Sequence, residues 1–417
     1  MTSLKLMLQM AIHMIKFRAR ELLEQCRGYL HRLTYTPGPN PRKIVIVGGS
    51  YGGWRTAKLL ANRIPSGYSI TLIEKNKHHN HTFVFPRYCV YGGNETQAFI
   101  PREHSDLDFA PKGAFEMVFG ECTSVSHTEK NSSYKVTLND GTEIDASYLV
   151  VATGVHAPIP TQLKDQTRDG GIAELQSVQQ KIADSSIIAV IGAGAAGVEL
   201  ATDIKYRYGS EKQVVLYNSR AHVLPRFPEQ VHEMAEVEIL NLGVELVHKT
   251  RPTIIDEHTL ELPDGTTRKF DAVFNCTGGR AASGPFEKLL GNVIDPKSGQ
   301  ILVKSSLQVD DSSLSNVFAL GDVAGTHGPK MGRAAFSQAN VVVENIVRDI
   351  YKRPMLTYTP APVENALLLT LGLSKSLLHM GNTYEMKEHP EDPSMGAKRI
   401  WTFFDVDYDR VMGEKSG

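Results

Sequence analysis

Two short runs of glycine are the groups in this chain best placed to do chemistry. Ile187-Ile-Ala-Val-Ile is an apolar run of strand length that ends in Gly192-x-Gly194-x-x-Gly197 and passes straight into a helical pattern. In that spacing the first glycine makes the tight turn, the second lets a pyrophosphate approach the backbone, and the third lets helix and strand pack closely. The helix start then offers N–H groups and the positive end of a dipole to phosphate. Upstream, Lys43-Ile-Val-Ile-Val runs into Gly48-Gly49-Ser50-Tyr-Gly-Gly53, the same strand, turn and helix start with serine where the middle glycine would be. Serine is small, and Gly49 and Gly52 keep the turn flexible, so the departure reads as tolerated. One such turn can be purely structural. Two of them predict two bound dinucleotides.

The residues that follow the glycines refine this. The strand Ser69-Ile-Thr-Leu-Ile ends in Glu74 and Lys75, at the distance where a carboxylate accepts hydrogen bonds from ribose hydroxyls. The first nucleotide is therefore expected to carry an unphosphorylated adenosine, as FAD does. In the second unit Gln213-Val-Val-Leu-Tyr ends in Asn218-Ser219-Arg220, with no acid. Nothing there repels a 2′-phosphate, and Arg220 with His222 is placed to pair with one; an Arg220 turned to solvent would leave both coenzymes acceptable. Glu199, two residues past the second motif, is either a working carboxylate or an acid favoured by the helix dipole. Lys77-His-His-Asn-His-Thr-Phe-Val-Phe-Pro-Arg87 gathers three histidines. With no second ligand cluster at i, i+4 it reads as a loop of imidazoles and aromatics near a flavin, with no metal expected.

An internal repeat supplies the elements that position these groups. Asn139-Asp-Gly-Thr is a hairpin turn leading to Tyr148-Leu-Val-Val-Ala-Thr153-Gly154. Pro263-Asp-Gly-Thr leads, at the same spacing, to Ala272-Val-Phe-Asn-Cys-Thr-Gly278. Asn316-Val-Phe-Ala-Leu-Gly321-Asp322 is a further apolar strand whose acid falls at the carboxyl end of a parallel sheet, where ligands bind in such folds. The fold class expected is α/β, with two Rossmann-like dinucleotide-binding domains. An NAD(P) domain at 156–281 is inserted in an FAD domain at 36–155 and 282–350. A basic amphipathic helix over 1–35 precedes them, joined by the linker Thr36-Pro-Gly-Pro-Asn-Pro, and a small mixed α/β segment over 351–417, without identifiable chemistry, follows.

Composition excludes several classes. Apolar content of 41%, charge of 22% and a formal net charge of −1 fit a globular protein and give nucleic acid nothing to bind. The four cysteines, Cys26, Cys89, Cys122 and Cys276, lie far apart, so neither a dithiol reductase nor a zinc ribbon is expected, and a reducing compartment fits. Residues 1–34 are different: Leu4, Met7, Leu8, Ala11, Ile15 and Leu22 recur at helical spacing among Lys5, Lys16, Arg18 and Arg20. The stretch is too interrupted to span a bilayer and lacks the core of a cleaved signal. It reads as a helix lying on a membrane surface, the alternatives being a helix packed on the protein's own body or a mitochondrial presequence. The expected location is the cytoplasm, peripheral on a membrane or associated with mitochondria.

Taken together, His78-His79-Asn80, Gly192-x-Gly-x-x-Gly-Val-Glu199, Asn316 to Asp322 and Pro329-Lys330-Met331 resemble the two-dinucleotide-binding-domain flavoproteins across about 40–380. Among these the chain is most similar to the AMID branch of the AIF-like FAD-dependent NAD(P)H oxidoreductases. The resemblance implies FAD held non-covalently, NADPH or NADH as reductant, and a quinone-like small-molecule acceptor. It implies that Asp322 bonds the flavin's ribityl or phosphate region, that Glu199 lies near flavin and nicotinamide, and that Lys330 sits by the flavin's pyrimidine side. Glu199 and Lys330 are thus the expected catalytic residues. The expected cofactor-binding set is Gly48, Gly49, Ser50, Gly53, Glu74, Lys75, His79, Arg87, Thr153, Gly154, Gly192, Gly194, Gly197, Arg220, Gly278, Gly321 and Asp322. Two other functions stay open at this point: a redox-sensing interaction protein of the cell-death type, and a reductase devoted to one biosynthetic pathway.

Overall fold

The computed structural model describes residues 4–104, 109–128 and 133–413. The side chains of residues 4–10, 13, 14, 16, 17 and 104 also lie outside the description, and with them Leu4, Lys5, Met7, Leu8 and Lys16 of the amphipathic pattern. Two compact units share the chain. The first comprises residues 1–77, 103–156 and 280–365; the second comprises 78–102, 157–279 and 366–417.

The first unit opens with α1 (Leu4–Thr34). β1 (Arg42–Val47), α2 (Tyr51–Ala61) and β2 (Tyr68–Glu74) follow. Its main sheet has five strands in the order Val317–Ala319, Tyr148–Val151, β1, β2, Phe115–Phe119. All neighbours pair in parallel. Every residue of β2 is buried, which is why these strands read as continuous apolar runs and not as alternating ones. A three-stranded antiparallel sheet, Cys122–Thr128, Ser133–Leu138 and Glu143–Ala146, contains the turn at Asn139-Asp-Gly-Thr. There Gly141 takes φ +84° and Asp140 Oδ1 accepts the Thr142 N–H at 2.9 Å. The helix Gly332–Ile350 closes the unit's nucleotide fold.

The second unit repeats the plan. Glu245–Val247, Gln213–Tyr217, Ile187–Ile191 and Ala272–Asn275 form a parallel sheet in that order. The antiparallel strands Thr253–Ile254, Thr259–Glu261 and Thr267–Lys269 carry the second Asp-Gly-Thr turn, with Gly265 at φ +83° and the Thr266 N–H on Asp264 Oδ1 at 2.9 Å.

Two stretches fall in this unit that the sequence pattern placed elsewhere. Residues 78–102, which continue the first nucleotide domain in sequence, sit here because Phe85, Tyr88 and Phe99 share one buried apolar cluster with Leu175, Val198, Leu200 and Ile204. The end of the chain also belongs here, with Leu367, Leu369 and Leu377 in the same cluster. It forms a three-stranded antiparallel sheet, Leu367–Thr370, Lys375–Met380 and Thr383–Glu388.

Candidate functional site

In the first unit the glycine turn is shaped by contacts that a side chain would destroy. A Cβ on Gly53 would lie 1.7 Å from the Gly48 carbonyl oxygen, so the start of α2 can meet the end of β1 only with glycine there. Gly48, at φ +99°, would place a Cβ 2.5 Å from the Ala152 oxygen. Ser50 stands at the N-cap of α2, and its side chain makes no capping bond, so the first turn's donors are not spent on it. Glu74 closes β2. Its Oε2 accepts the Gly49 N–H at 2.7 Å and its Oε1 the Asn76 N–H at 3.0 Å, so the strand-end acid fixes the glycine turn.

The other expected residues of this unit are distributed around the sheet's carboxyl end. Thr153 Oγ1 donates to the Ala282 carbonyl at 2.8 Å, and the Ala282 N–H to Gly154 at 2.9 Å. Gly154 and Gly321 take φ +71° and +74°. The Gly321 N–H reaches Gln338 Oε1 at 2.7 Å, which ties the turn carrying Asp322 to the helix Gly332–Ile350. Lys330 Nζ donates to the Ala324 carbonyl and to Thr326 Oγ1. Gln338 Nε2 continues that chain of contacts to Thr326 and to the Tyr358 hydroxyl, which donates to Glu364. Lys75 lies apart, 3.6 Å from Glu121.

The second unit builds the same turn again. A Cβ on Gly197 would lie 1.9 Å from the Gly192 oxygen, and Gly192, at φ +104°, would place one 2.7 Å from the Cys276 oxygen. Gly194, the N-cap of the helix Ala195–Tyr208, has open space where its Cβ would be. Gly278 takes φ +94° after the paired strand.

One turn into that helix the unit holds a charged cluster that the sequence reading found only in part. Glu199 and Asp203 are spaced i, i+4 and therefore share a face. The Arg87 Nε donates to Asp203 Oδ2 at 2.6 Å and its Nη2 to the Gly372 carbonyl at 2.9 Å, with the pair fully buried. Arg87 is thus committed to the protein's own carboxylate. Glu199 Oε1 accepts from Thr370 twice, from the hydroxyl at 3.1 Å and the N–H at 3.3 Å. Burial, then the charge of Asp203, pushes the Glu199 carboxyl up to about 7, against the opposing pull of Thr370 and Arg87. Burial likewise raises Asp203 to about 6, with Arg87 holding it down. Glu199, half-buried beside the fully buried Asp203–Arg87 pair, is the carboxyl of the two that takes up a proton more readily toward neutrality, since Arg87 contacts Asp203. The i, i+4 spacing could have revealed Asp203. Nothing in the sequence pointed to Thr370, in the segment where no chemistry was expected.

At the end of the strand Gln213–Tyr217 the buried Asn218 accepts the Arg220 N–H on Oδ1 at 3.2 Å and sets its amide against His248 Nδ1 at 3.2 Å. The Lys249 N–H donates to the Arg220 carbonyl at 3.0 Å. Arg220 itself is exposed. The histidine stretch is a packed one: His79 stacks on Phe404 with centroids 3.5 Å apart, and His78 meets the edge of Phe99 at 5.3 Å. Burial drives His79 well below the ordinary imidazole range and His81 to about 4. Among the described residues no group of three or more His, Cys, Asp or Glu is arranged to hold a metal ion. Cys89 and Cys276 are buried, and burial pushes the Cys276 thiol up to about 12, far from a reactive thiolate.

FAD and a nicotinamide coenzyme fit these two turns on the chain's own geometry. Each has a cradle that one Cβ would fill, a helix N-terminus without a side-chain cap, and a glycine or serine where phosphate oxygens approach. Known proteins agree. The family described as pyridine nucleotide-disulphide oxidoreductase matches residues 42–339. Fe-regulated protein 8 of Mycosarcoma maydis is 30% identical over 388 residues, covering 87% of this chain and 94% of that one. Ferroptosis suppressor protein 1 of Homo sapiens is 29% identical, covering 82% and 89%. Among solved structures, the sulfide:quinone oxidoreductase of Aquifex aeolicus shares the fold with a TM-score of 0.67 at 19% identity, over 87% of this chain and 90% of that one.

Proposed function

This chain belongs to the pyridine nucleotide-disulphide oxidoreductase family, and we propose that it oxidises NADPH or NADH through bound FAD and reduces a quinone-like small molecule. The observation that carries this is the nucleotide cradle built twice, in a chain whose four cysteines are free thiols far apart in sequence. Cys276, its thiol pushed up to about 12 by burial, is a poor electron carrier, which supports a diffusible acceptor in place of a dithiol. The name of the sulfide:quinone oxidoreductase supports an acceptor of the quinone class.

When bound, FAD supplies the hydride-accepting and electron-donating chemistry. The protein's part is binding, orientation and proton handling. Gly48, Gly49, Ser50 and Gly53 hold the first pyrophosphate, Glu74 faces the adenosine ribose, and Asp322 with Thr153, Gly154 and Gly321 holds the ribityl side. Lys330 places a cation beside the ring's pyrimidine edge. Gly192, Gly194, Gly197 and Gly278 hold the coenzyme, with Arg220 and His222 toward a 2′-phosphate. Glu199 holds a proton at its carboxyl near neutral pH, and forming a quinol consumes two protons. A lipid-soluble acceptor fits a cytoplasmic protein that is peripheral on a membrane through residues 1–34. The test is steady-state NADPH oxidation by the purified protein with a short-chain quinone. Consumption of one coenzyme per quinone is expected, and a flavin-loaded protein that leaves both untouched defeats the proposal.

A further inference from the structure

The polar and apolar sides of α1 are reversed relative to an ordinary surface helix. Its two acids and His31 face the protein. Arg55 on α2 meets Glu21 at 2.5 Å; Arg63 meets Glu24 at 2.5 Å and Glu344 at 3.1 Å. His31 Nε2 lies 2.7 Å from the Ile64 carbonyl oxygen, and the Tyr35 hydroxyl donates to Tyr68 at 2.6 Å. Gly28 is buried against Asn62 so closely that a Cβ would come within 2.3 Å of its side-chain oxygen. Against this, Ile12, Ile15, Leu22, Leu23, Tyr29, Leu30 and Leu33 are 44% to 70% exposed. At 3.6 residues per turn these seven fall in one stripe about 120° wide, opposite the clamped face.

Charge points to what covers the stripe. Both acids of α1, Glu21 and Glu24, are turned inward into ion pairs. The exposed arginines border the apolar stripe, Arg18 and Arg32 along one edge and Arg20 with Arg27, which also reaches Glu24 at 3.2 Å, along the other. An apolar strip edged by cations, with its acids withdrawn, matches an anionic lipid surface: leucines enter the acyl boundary and guanidiniums stay with the headgroup phosphates. No described helix is long and apolar enough to cross a membrane. We infer that this outward stripe of α1 is a docking face for an anionic bilayer, and that the Glu21–Arg55 and Glu24–Arg63–Glu344 contacts fix how the first unit stands on it. This deepens the membrane part of the proposed function, and it stands on the helix geometry independently of which acceptor is reduced.

Flotation of the full-length protein with vesicles tests it. Wild type is expected to float with 3:1 phosphatidylcholine:phosphatidylglycerol vesicles, and much less with phosphatidylcholine alone. Leu22→Ser, Leu30→Ser and Leu33→Ser combined should lower binding by at least roughly tenfold. Arg18→Ala should lower it by about fivefold at low salt. The exposed positions leave the core untouched, so far-ultraviolet circular dichroism and turnover with a water-soluble quinone should match wild type. Undiminished flotation of the triple serine variant overturns the proposal. So does a wild type that ignores the vesicles and instead associates through the stripe, shown by a mass on light scattering that the triple variant halves. Binding as described by a protein that reduces no quinone would defeat the proposed function and leave the docking face standing.

Discussion

The two glycine turns of this molecule are close copies that end differently. Each packs its helix against its strand through a glycine whose Cβ would collide with the first glycine's carbonyl, at 1.7 Å for Gly53 and 1.9 Å for Gly197. Each is paired with a strand closed by Thr-Gly. The residue at the end of the next strand then separates them. In the first unit the Glu74 carboxylate accepts two backbone N–H groups and offers only acceptors to a ribose. In the second unit Asn218 takes that place with no charge, accepting the Arg220 backbone N–H and setting its amide against His248. We propose that the cradle fixes where a dinucleotide lies, and that the strand-end residue decides which dinucleotide is acceptable.

The largest effect should come from filling one cradle at a time. Gly53→Val should yield protein that retains no flavin, because helix and strand cannot close around it. Gly197→Val should keep its yellow colour and lose reduction by NADPH. Visible spectra before and after coenzyme addition read both. If the two variants behave alike, the two units do not divide the labour as described.

Next in size is Glu199→Gln, expected to slow turnover by roughly 10²–10⁴-fold while sparing flavin content. Loss confined to coenzyme KM would make Glu199 a positioning group for the nicotinamide. The same carboxyl predicts a pH dependence of stability. Glu199 and Asp203 are raised in the folded protein from 4.5 to about 7 and from 3.8 to about 6. The folded state therefore holds more protons than the unfolded chain across that interval, and stability falls as pH rises through it. Tm should drop from about pH 4 to 7 and then level, with a shallower drop in Glu199→Gln. A Tm that rises across this window would contradict the raised carboxyls.

The smallest effect is the coenzyme preference. NADPH should serve at least as well as NADH. Since Arg220 is exposed and screened by solvent, Arg220→Ala should raise KM for NADPH by only about three- to tenfold. Asn218→Asp should restore the first unit's pattern and favour NADH. The ratio of kcat/KM for the two coenzymes in the three proteins measures both, and a wild type that strongly prefers NADH would show that the strand end does not decide.

Most of this architecture was legible because it is local. Strand, glycine turn and helix follow one another without interruption, and the Asp-Gly-Thr turns and Thr-Gly ends mark the repeat. What escaped was long-range. Arg87 reads as a cofactor contact in a basic, aromatic loop, yet its guanidinium meets Asp203, 116 residues on. Thr370 lies 171 residues from the carboxylate it contacts, at the end of a strand that otherwise reads as an unbroken run of leucines. The orientation of α1 was equally hidden: helical periodicity reveals an apolar face, and only the ion pairs from Arg55 and Arg63 show that it is turned outward.

The central claim is that one chain holds a flavin that a nicotinamide coenzyme reduces and a quinone reoxidises. Anaerobic titration of the purified protein tests it most directly. A yellow protein with one FAD per chain is expected, bleached by one equivalent of NADPH and restored by one equivalent of a soluble quinone. A folded, colourless protein that takes up no FAD, or a bound flavin that NADPH and NADH both leave oxidised, would contradict it.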